Sequence, residues 1–161
     1  MKIEEFKSII TFAIANEIEA YEFYNGVSEK AKDANLKRIF AELAAEESKH
    51  KHLLEDFLSN VRPMHFDEVK DCGVSETVDR PKLSLSMKPA DAIALAMKDE
   101  EAAMNLYNDL ANLSNDSEQK KMFQSLATME QGHKVRLEGV YTNAVFPVVW
   151  STPVFPVSKM P

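Results

Sequence analysis

The chain has 161 residues, a length that favours one domain with a sizeable apolar core. Its formal net charge of −7 and its lack of a basic patch argue against nucleic acid as a partner. No apolar run approaches the roughly 18 residues that span a bilayer, and the charged first residues are unlike a signal peptide. A single cysteine excludes an internal disulfide. We therefore expect a cytoplasmic protein without membrane association.

The first half of the chain predicts two helices, because apolar residues recur at three- and four-residue steps. Helix A spans about 2–30, and its inner stripe is Phe6, Ile10, Ala13, Glu17, Ala20, Tyr21 and Tyr24. Gly26 and the stretch 28–35 mark a turn, and Asp33 is a suitable N-cap for helix B. Helix B spans about 34–60, with an inner stripe of Leu36, Ile39 or Phe40, Leu43, Glu47, His50, Leu54, and Phe57 or Leu58.

Other ionisable residues of these two helices lie off the stripes. His52, for example, is two residues from His50 and points roughly the opposite way. We expect all of them to be solvated surface residues: Glu19, Glu22, Glu42, Glu46, His52 and Glu55.

The helical pattern lapses over 61–88, where Pro63, Gly73 and Pro81 disfavour a helix. Loops of this length are uncommon unless they have a role, and we interpret this one as a long crossover. Helix C begins at Pro89, because proline suits the first helical turn. It ends near residue 113, and its inner stripe is Ile93, Ala96 or Met97, Glu100, Ala103 or Met104, and Tyr107.

Helix D follows a turn at 114–117, in which Asp116 is the expected cap. It runs to about Tyr141, with an inner stripe of Phe123, Leu126 or Ala127, Glu130, His133, Leu137 and Val140. The chain is therefore predicted to be all-α: a four-helix bundle over 1–142, with one long crossover between helices B and C.

The tail, residues 143–161, has a different character. Its four prolines forbid a helix, yet it is rich in aromatic and branched apolar residues, including Phe146, Trp150 and Phe155. Such a surface must be covered. We expect an extended, proline-rich C-terminal arm that packs across the interface of a homodimer.

Two short motifs with the same spacing connect the halves of the bundle. Glu47 and His50 form an E-x-x-H pair on helix B, and Glu130 and His133 repeat it 83 residues later. Residues at i and i+3 are neighbours on a helix, so each pair can hold one metal ion. The same 83-residue shift matches apolar positions along both helices of each half, so the chain reads as two helix-turn-helix repeats.

The repeat also places one more glutamate inside the apolar stripe of each half. Carboxylates there would be very costly if ionised and unpaired, so they must face solvent, be protonated or bind cations. The matched positions favour cations, and the set is that of di-iron carboxylate sites in helical bundles. The predicted metal ligands are Glu17, Glu47, His50, Glu100, Glu130 and His133. Such ligands suit two iron ions, with Mn or Zn as substitutes.

Tyr24 and Tyr107 are the candidate catalytic residues outside the ligand set. Each lies two helical turns after a predicted ligand, Glu17 or Glu100, on the same helix face. They could donate hydrogen bonds that orient the carboxylates. The alternative is a pair of core aromatic residues with hydrated hydroxyl groups, and the sequence alone does not separate the two.

The chain resembles the rubrerythrin branch of the ferritin-like superfamily. The stretches 15–20, 23–24 and 45–50 are typical of its first two helices, and the resemblance covers residues 1 to about 142. It departs from rubrerythrins proper in two ways. The four cysteines of a rubredoxin domain are missing, and Ala103 stands where the family has an extra glutamate that takes part in iron movement.

The resemblance implies a di-iron oxidoreductase. Its substrate would be hydrogen peroxide, reduced with electrons from a donor such as rubredoxin, since no flavin or nicotinamide motif is present. The alternative is a ferroxidase or iron-binding protein that oxidises Fe(II) with dioxygen, because the ligand set left by Ala103 is the symmetric one of bacterioferritin. A structural bundle with a vestigial site is a third interpretation.

Overall fold

A computed structural model describes residues 3–60 and 81–142. Within those ranges every regular element is a helix: α1 (Ile3–Lys30), α2 (Ala34–Ser59), α3 (Pro89–Leu113) and α4 (Ser117–Thr142). The all-α prediction is confirmed, and each helix begins and ends within about two residues of its expected bound. The predicted C-terminal arm and most of the predicted crossover lie outside the described residues.

Capping residues fix where the helices start. The side chain of Asp33 accepts a hydrogen bond from the backbone N–H of Leu36 at 2.8 Å, as expected for an N-cap. Asp116 accepts from two backbone N–H groups of the first turn of α4, each at 2.9 Å. Pro89 occupies the first turn of α3, where its missing N–H costs no hydrogen bond. These local signals make the helix starts readable from sequence.

The bundle consists of two helical hairpins, α1 with α2 and α3 with α4. Two apolar clusters fill its ends. The first cluster joins the end of α1 to the starts of α2 and α3 and the end of α4, around Tyr24, Phe40 and Ile93. The second joins the opposite ends, around Phe6, Leu54 and Phe123. The end of α2 and the start of α3 are thus at opposite ends of the bundle.

The two helix ends that this connection joins are therefore separated by about the length of the bundle. α2 has 26 residues, which corresponds to about 39 Å at 1.5 Å per residue. In the part of this connection that the structure describes, the backbone N–H of Leu83 donates to Glu19 at 2.9 Å, and Leu85 lies against Gly26. This described part of the crossover thus packs against α1 just before α3 begins.

Three expectations for α1 are wrong. Gly26 does not mark a turn but lies inside the helix, where Cδ1 of Leu85 is 2.7 Å from the position of an added Cβ. Glu19 is not a solvated residue, because it is half-buried and accepts the hydrogen bond from Leu83. Tyr21 is not part of the inner stripe but is 38% exposed. The first two errors share a cause, since only the packing of the crossover gives these positions a partner.

Among the described residues, no helix has the length and the apolar character needed to cross a bilayer.

Candidate metal centre

A layer of six polar side chains crosses the middle of the bundle, between the two apolar clusters. Each belongs to the inner stripe of its helix, and none is more than 4% exposed: Glu17, Glu47, His50, Glu100, Glu130 and His133. These are the residues that the repeat predicts as ligands. The structure brings all six into one layer.

One half of the layer is centred on His50 of α2. Its Nδ1 atom lies 2.9 Å from Oε1 of Glu130, 3.2 Å from Oε2 of Glu47 and 3.5 Å from Oε2 of Glu17. These residues come from α1, α2 and α4, so this position needs side chains from both hairpins.

The other half is centred on His133 of α4. Its Nδ1 atom lies 2.8 Å from Oε1 of Glu47, 3.0 Å from Oε2 of Glu130 and 3.5 Å from Oε2 of Glu100. Here the contributing helices are α2, α3 and α4. The arrangement repeats that around His50 with the two hairpins exchanged.

Glu47 and Glu130 belong to both halves, because each presents one oxygen to His50 and the other to His133. Such an orientation allows one carboxylate to bridge two cations. The two imidazole rings stack, with centroids 5.3 Å apart and an interplanar angle of 13°. The layer therefore offers two adjacent positions, each with one imidazole, two shared carboxylates and one unshared carboxylate.

The two candidate tyrosines hold the unshared carboxylates. Tyr24 of α1 donates to Oε1 of Glu100, and Tyr107 of α3 donates to Oε1 of Glu17. Each tyrosine thus reaches the glutamate of the other hairpin rather than the one on its own helix. The second oxygen of each glutamate is left facing a histidine. Both tyrosines are at most 1% exposed, so the interpretation with hydrated hydroxyl groups does not fit.

Burial disfavours ionisation of the unshared carboxyls. It raises the pKa of Glu17 well above the ordinary value, and the nearby charges of Glu130 and Glu47 raise this pKa further. Burial and the charge of Glu47 likewise raise the pKa of Glu100. In the absence of cations these two groups tend to be neutral.

The shared carboxyls and the histidines have the opposite tendency. Burial also opposes ionisation of Glu47 and Glu130, but the adjacent histidines outweigh it and lower the pKa of both groups. Burial alone would lower the pKa of His50, yet the carboxylates of Glu130, Glu17 and Glu47 raise it to about 12. The pKa of His133 is raised, against the effect of burial, by the carboxylates around it. In the absence of cations, the two histidines thus tend to be protonated and the two shared carboxyls ionised.

These facing atoms lie within ion-pair distance of one another, but their contacts do not have the geometry of hydrogen bonds. Both carboxylate oxygens of Glu47 and of Glu130, and Nδ1 of each histidine, are buried and have no hydrogen-bond partner among the described residues. One ligand atom from each of these four residues lies within 4.8 Å of the others. Buried polar atoms are costly when unsatisfied, and a carboxylate and imidazole set of this kind suits Fe, Mn or Zn. The residues present fit a pair of divalent cations.

The prediction that Glu46 is a solvated surface residue is wrong. Its Oε2 atom lies 2.7 Å from Nε2 of His133 and also accepts a hydrogen bond from Arg136. Burial raises the pKa of Glu46, but Arg136 and His133 together outweigh this effect and lower the pKa. The available signal was a break in the repeat, because the residues that correspond to Glu46 and Arg136 are Met129 and Leu53.

The sequence model of the Rubrerythrin family matches residues 8–141. This chain belongs to the rubrerythrin family. A hypothetical protein from Pyrococcus furiosus is 30% identical, with a TM-score of 0.64, and the match covers 87% of this chain and 91% of that chain. A Thermotoga maritima protein described as a ferritin-like diiron-carboxylate protein is 25% identical, with a TM-score of 0.64 and coverage of 89% and 97%. No curated protein matches the sequence significantly.

Membership of this family confirms the resemblance predicted from the helix motifs, and the solved structures confirm the ferritin-like bundle. The match ends at residue 141, close to the end of α4. Ala103, a half-buried residue of α3, stands at the position where the resemblance to rubrerythrins places an extra glutamate. The layer holds four carboxyls, those of Glu17, Glu47, Glu100 and Glu130.

Proposed function

We propose that this rubrerythrin-family chain binds two iron ions and reduces hydrogen peroxide with electrons from a separate donor protein. The observation that carries the proposal is the buried layer, in which two shared carboxylates, two unshared carboxylates and two histidines face a common volume. Iron suits oxygen-rich ligation with one imidazole per ion, and manganese or zinc could occupy the same positions.

The ligands divide into two roles. Glu47 and Glu130 would bridge the ions, because each already presents its two oxygens to different histidines. Glu17 and Glu100 would each hold one ion, through the oxygen that the tyrosine leaves free.

Bound iron would supply the electrons, since two ferrous ions give one each and peroxide needs two, with two protons, to become two water molecules. In the metal-free chain, burial raises the pKa of Tyr24 and Tyr107, and the adjacent Glu100 and Glu17 raise it further, so both hydroxyl groups stay protonated. Their hydroxyl groups therefore remain donors that orient the unshared carboxylates. The apolar clusters at both ends keep bulk water away from the layer.

The proposed electron donor is a separate protein such as a rubredoxin, since the given sequence shows no flavin or nicotinamide motif. A cytoplasmic location and a homodimeric state are part of the same proposal. Each can be tested separately from the chemistry.

A ferroxidase is the second candidate, and Ala103 is the observation that favours it. Without a fifth carboxyl, the ligand set is symmetric and resembles that of bacterioferritin. Such a centre would oxidise Fe(II) with dioxygen and pass ferric iron on, rather than turn over with peroxide.

Stopped-flow absorbance on anaerobically reduced, iron-loaded protein separates the two candidates. We expect stoichiometric peroxide to oxidise the centre much faster than dioxygen, with steady turnover only when a rubredoxin and its reductase are added. Equal rates with dioxygen, together with ferric iron accumulating beyond two ions per chain, would establish the ferroxidase instead.

Metal analysis of purified variants tests the site itself. Glu47→Ala and Glu130→Ala should each lower iron content sharply, because both ions lose a shared ligand. Glu22→Ala is the matched control, since Glu22 is an exposed residue of α1. Equal iron content in all three variants would remove the basis for a di-iron function.

A further inference from the structure

The two halves of the polar layer have the same ligands but different surroundings. The 83-residue repeat pairs every ligand with an equivalent: Glu17 with Glu100, Glu47 with Glu130, and His50 with His133. The residues behind the two histidines do not follow this symmetry. The difference concerns the Nε2 atoms, which point away from the facing carboxylates.

Behind His133, the symmetry is broken by a charged pair. Nε2 of His133 lies 2.7 Å from Oε2 of Glu46, and the same oxygen accepts a hydrogen bond from Arg136. Arg136 and Glu46 are both only partly exposed, with side-chain exposures of 33% and 38%. Arg136 thus fixes the carboxylate of Glu46 by a hydrogen bond, and this carboxylate in turn lies within hydrogen-bond distance of the imidazole of His133.

Behind His50, the equivalent residues are apolar. Met129 stands where the repeat would place a second Glu46, and Leu53 stands where it would place a second Arg136. Nε2 of His50 is buried and has no hydrogen-bond partner among the described residues. This imidazole faces Glu47, Glu130 and the equivalent unshared glutamate, as His133 does. Nothing in the described part of the chain, however, fixes its Nε2 atom.

A carboxylate that accepts from the outer N–H of a ligating histidine fixes its tautomer and ring orientation and makes the other nitrogen a better donor to metal. Loss of such a partner typically costs about 10- to 100-fold in metal affinity. We propose that the two metal positions are unequal, and that Glu46 and Arg136 make the position of His133 and Glu100 the tighter one, which fills first. This inference rests on the proposed function, in that it requires the layer to bind two ions.

Glu46 and Arg136 are positioning residues, because they act through His133 and touch no bound ion themselves. If these two residues only stabilised the fold, their substitution would change neither the order in which the two ions bind nor the absorption spectrum of the first bound ion. Cobalt(II) is a suitable probe, since its visible absorption reports its ligands. Anaerobic titration of the metal-free, full-length chain should show two steps whose dissociation constants differ by about 10- to 100-fold.

Substitutions of the unshared carboxylates assign the two steps. Glu100→Gln should weaken the first, tighter step, and Glu17→Gln should weaken the second. The reverse assignment would overturn the inference.

A symmetrising variant tests the cause. Glu46→Met gives His133 the surroundings of His50, so the tighter step should weaken by about 10- to 100-fold and approach the other. Glu42→Met is the matched control, because it removes the same charge from an exposed position one turn earlier on α2. Glu46→Gln keeps the shape of the side chain and an accepting oxygen but loses the charge, and should lie between wild type and Glu46→Met.

The opposite substitution excludes a general loss of structure as the explanation. Met129→Glu combined with Leu53→Arg builds a second charged pair behind His50, and should tighten the weaker step while leaving the tighter one unchanged. Two ions that bind the wild-type chain with one constant would overturn the inference, as would Glu46→Met behaving like Glu42→Met. A wild-type chain that takes up no cobalt overturns the proposed di-metal site itself, and that result appears before any variant is made.

Discussion

Loading the site with two divalent cations should release protons. In the absence of cations, the surrounding carboxylates raise the pKa of both histidines, that of His50 to about 12. Nδ1 of each histidine must lose a proton before it can bind a metal ion. Glu17 and Glu100 also have raised pKa values, chiefly because of burial. We therefore expect at least two protons to leave per chain at pH 7, and four where both of these carboxyls are neutral beforehand.

Calorimetric titration with zinc at pH 7, in two buffers of different ionisation enthalpy, counts these protons directly. The sign of the pH dependence follows because these groups must lose protons before they bind metal. As pH falls, more protons compete for the ligand atoms, and the affinity for zinc falls. Each released proton contributes a factor of ten per pH unit, so release of two to four predicts an overall binding constant lower by about 100- to 10,000-fold per unit.

The exposed variant Glu22→Gln is the control for this measurement, and should release as many protons as the wild type. Release of fewer than one proton per chain, or an affinity that is constant between pH 6 and 8, would refute the proposed ionisation of the layer. The histidines would then be neutral in the metal-free protein.

Other substitutions test the helices, the tyrosines and the C-terminal segment. Gly132→Ala should stabilise the chain by about 1 kcal/mol in urea unfolding, because an added Cβ meets nothing within 4 Å. Gly26→Ala should gain less, since its Cβ would lie 2.7 Å from Cδ1 of Leu85, and equal gains would contradict this packing. Tyr107→Phe should lower metal affinity about tenfold in chelator competition, whereas an unchanged affinity would make this tyrosine a packing residue. Truncation after Thr142 should weaken a homodimer in sedimentation, and a full-length chain that stays monomeric at high concentration would refute the dimer.

The sequence predicts the helices well because their signals are local. Caps such as Asp33 and the proline at the start of α3 act within one turn. The six polar residues of the layer can also be predicted from sequence. The buried face of a helix repeats with a fixed period, so an ionisable residue at one of its otherwise apolar positions stands out. Their role as metal ligands stays a prediction, which the cobalt and zinc titrations address.

Contacts between distant helices were harder to predict. Glu46 lies off the inner stripe of α2, so the apolar periodicity of this helix indicates a surface position. Only the packing of α4 against α2 gives Glu46 its partners His133 and Arg136. The pairing of each tyrosine with the glutamate of the other hairpin depends on packing in the same way. Periodicity places a side chain on a helix face but does not state which neighbouring helix that face meets.

Each hairpin brings one histidine, one shared carboxylate and one unshared carboxylate to the layer, so neither hairpin completes a metal position alone. Each half of the chain therefore carries one ligand of each kind, and two copies of one hairpin, paired about a twofold axis, would surround two equivalent positions. In such a pair every substitution would occur twice, and the two ions would always have identical surroundings. Joining the halves in one polypeptide removes that restriction. It allows Glu46 in one half to differ from its counterpart Met129 in the other, so that two positions with equivalent ligands can have unequal surroundings.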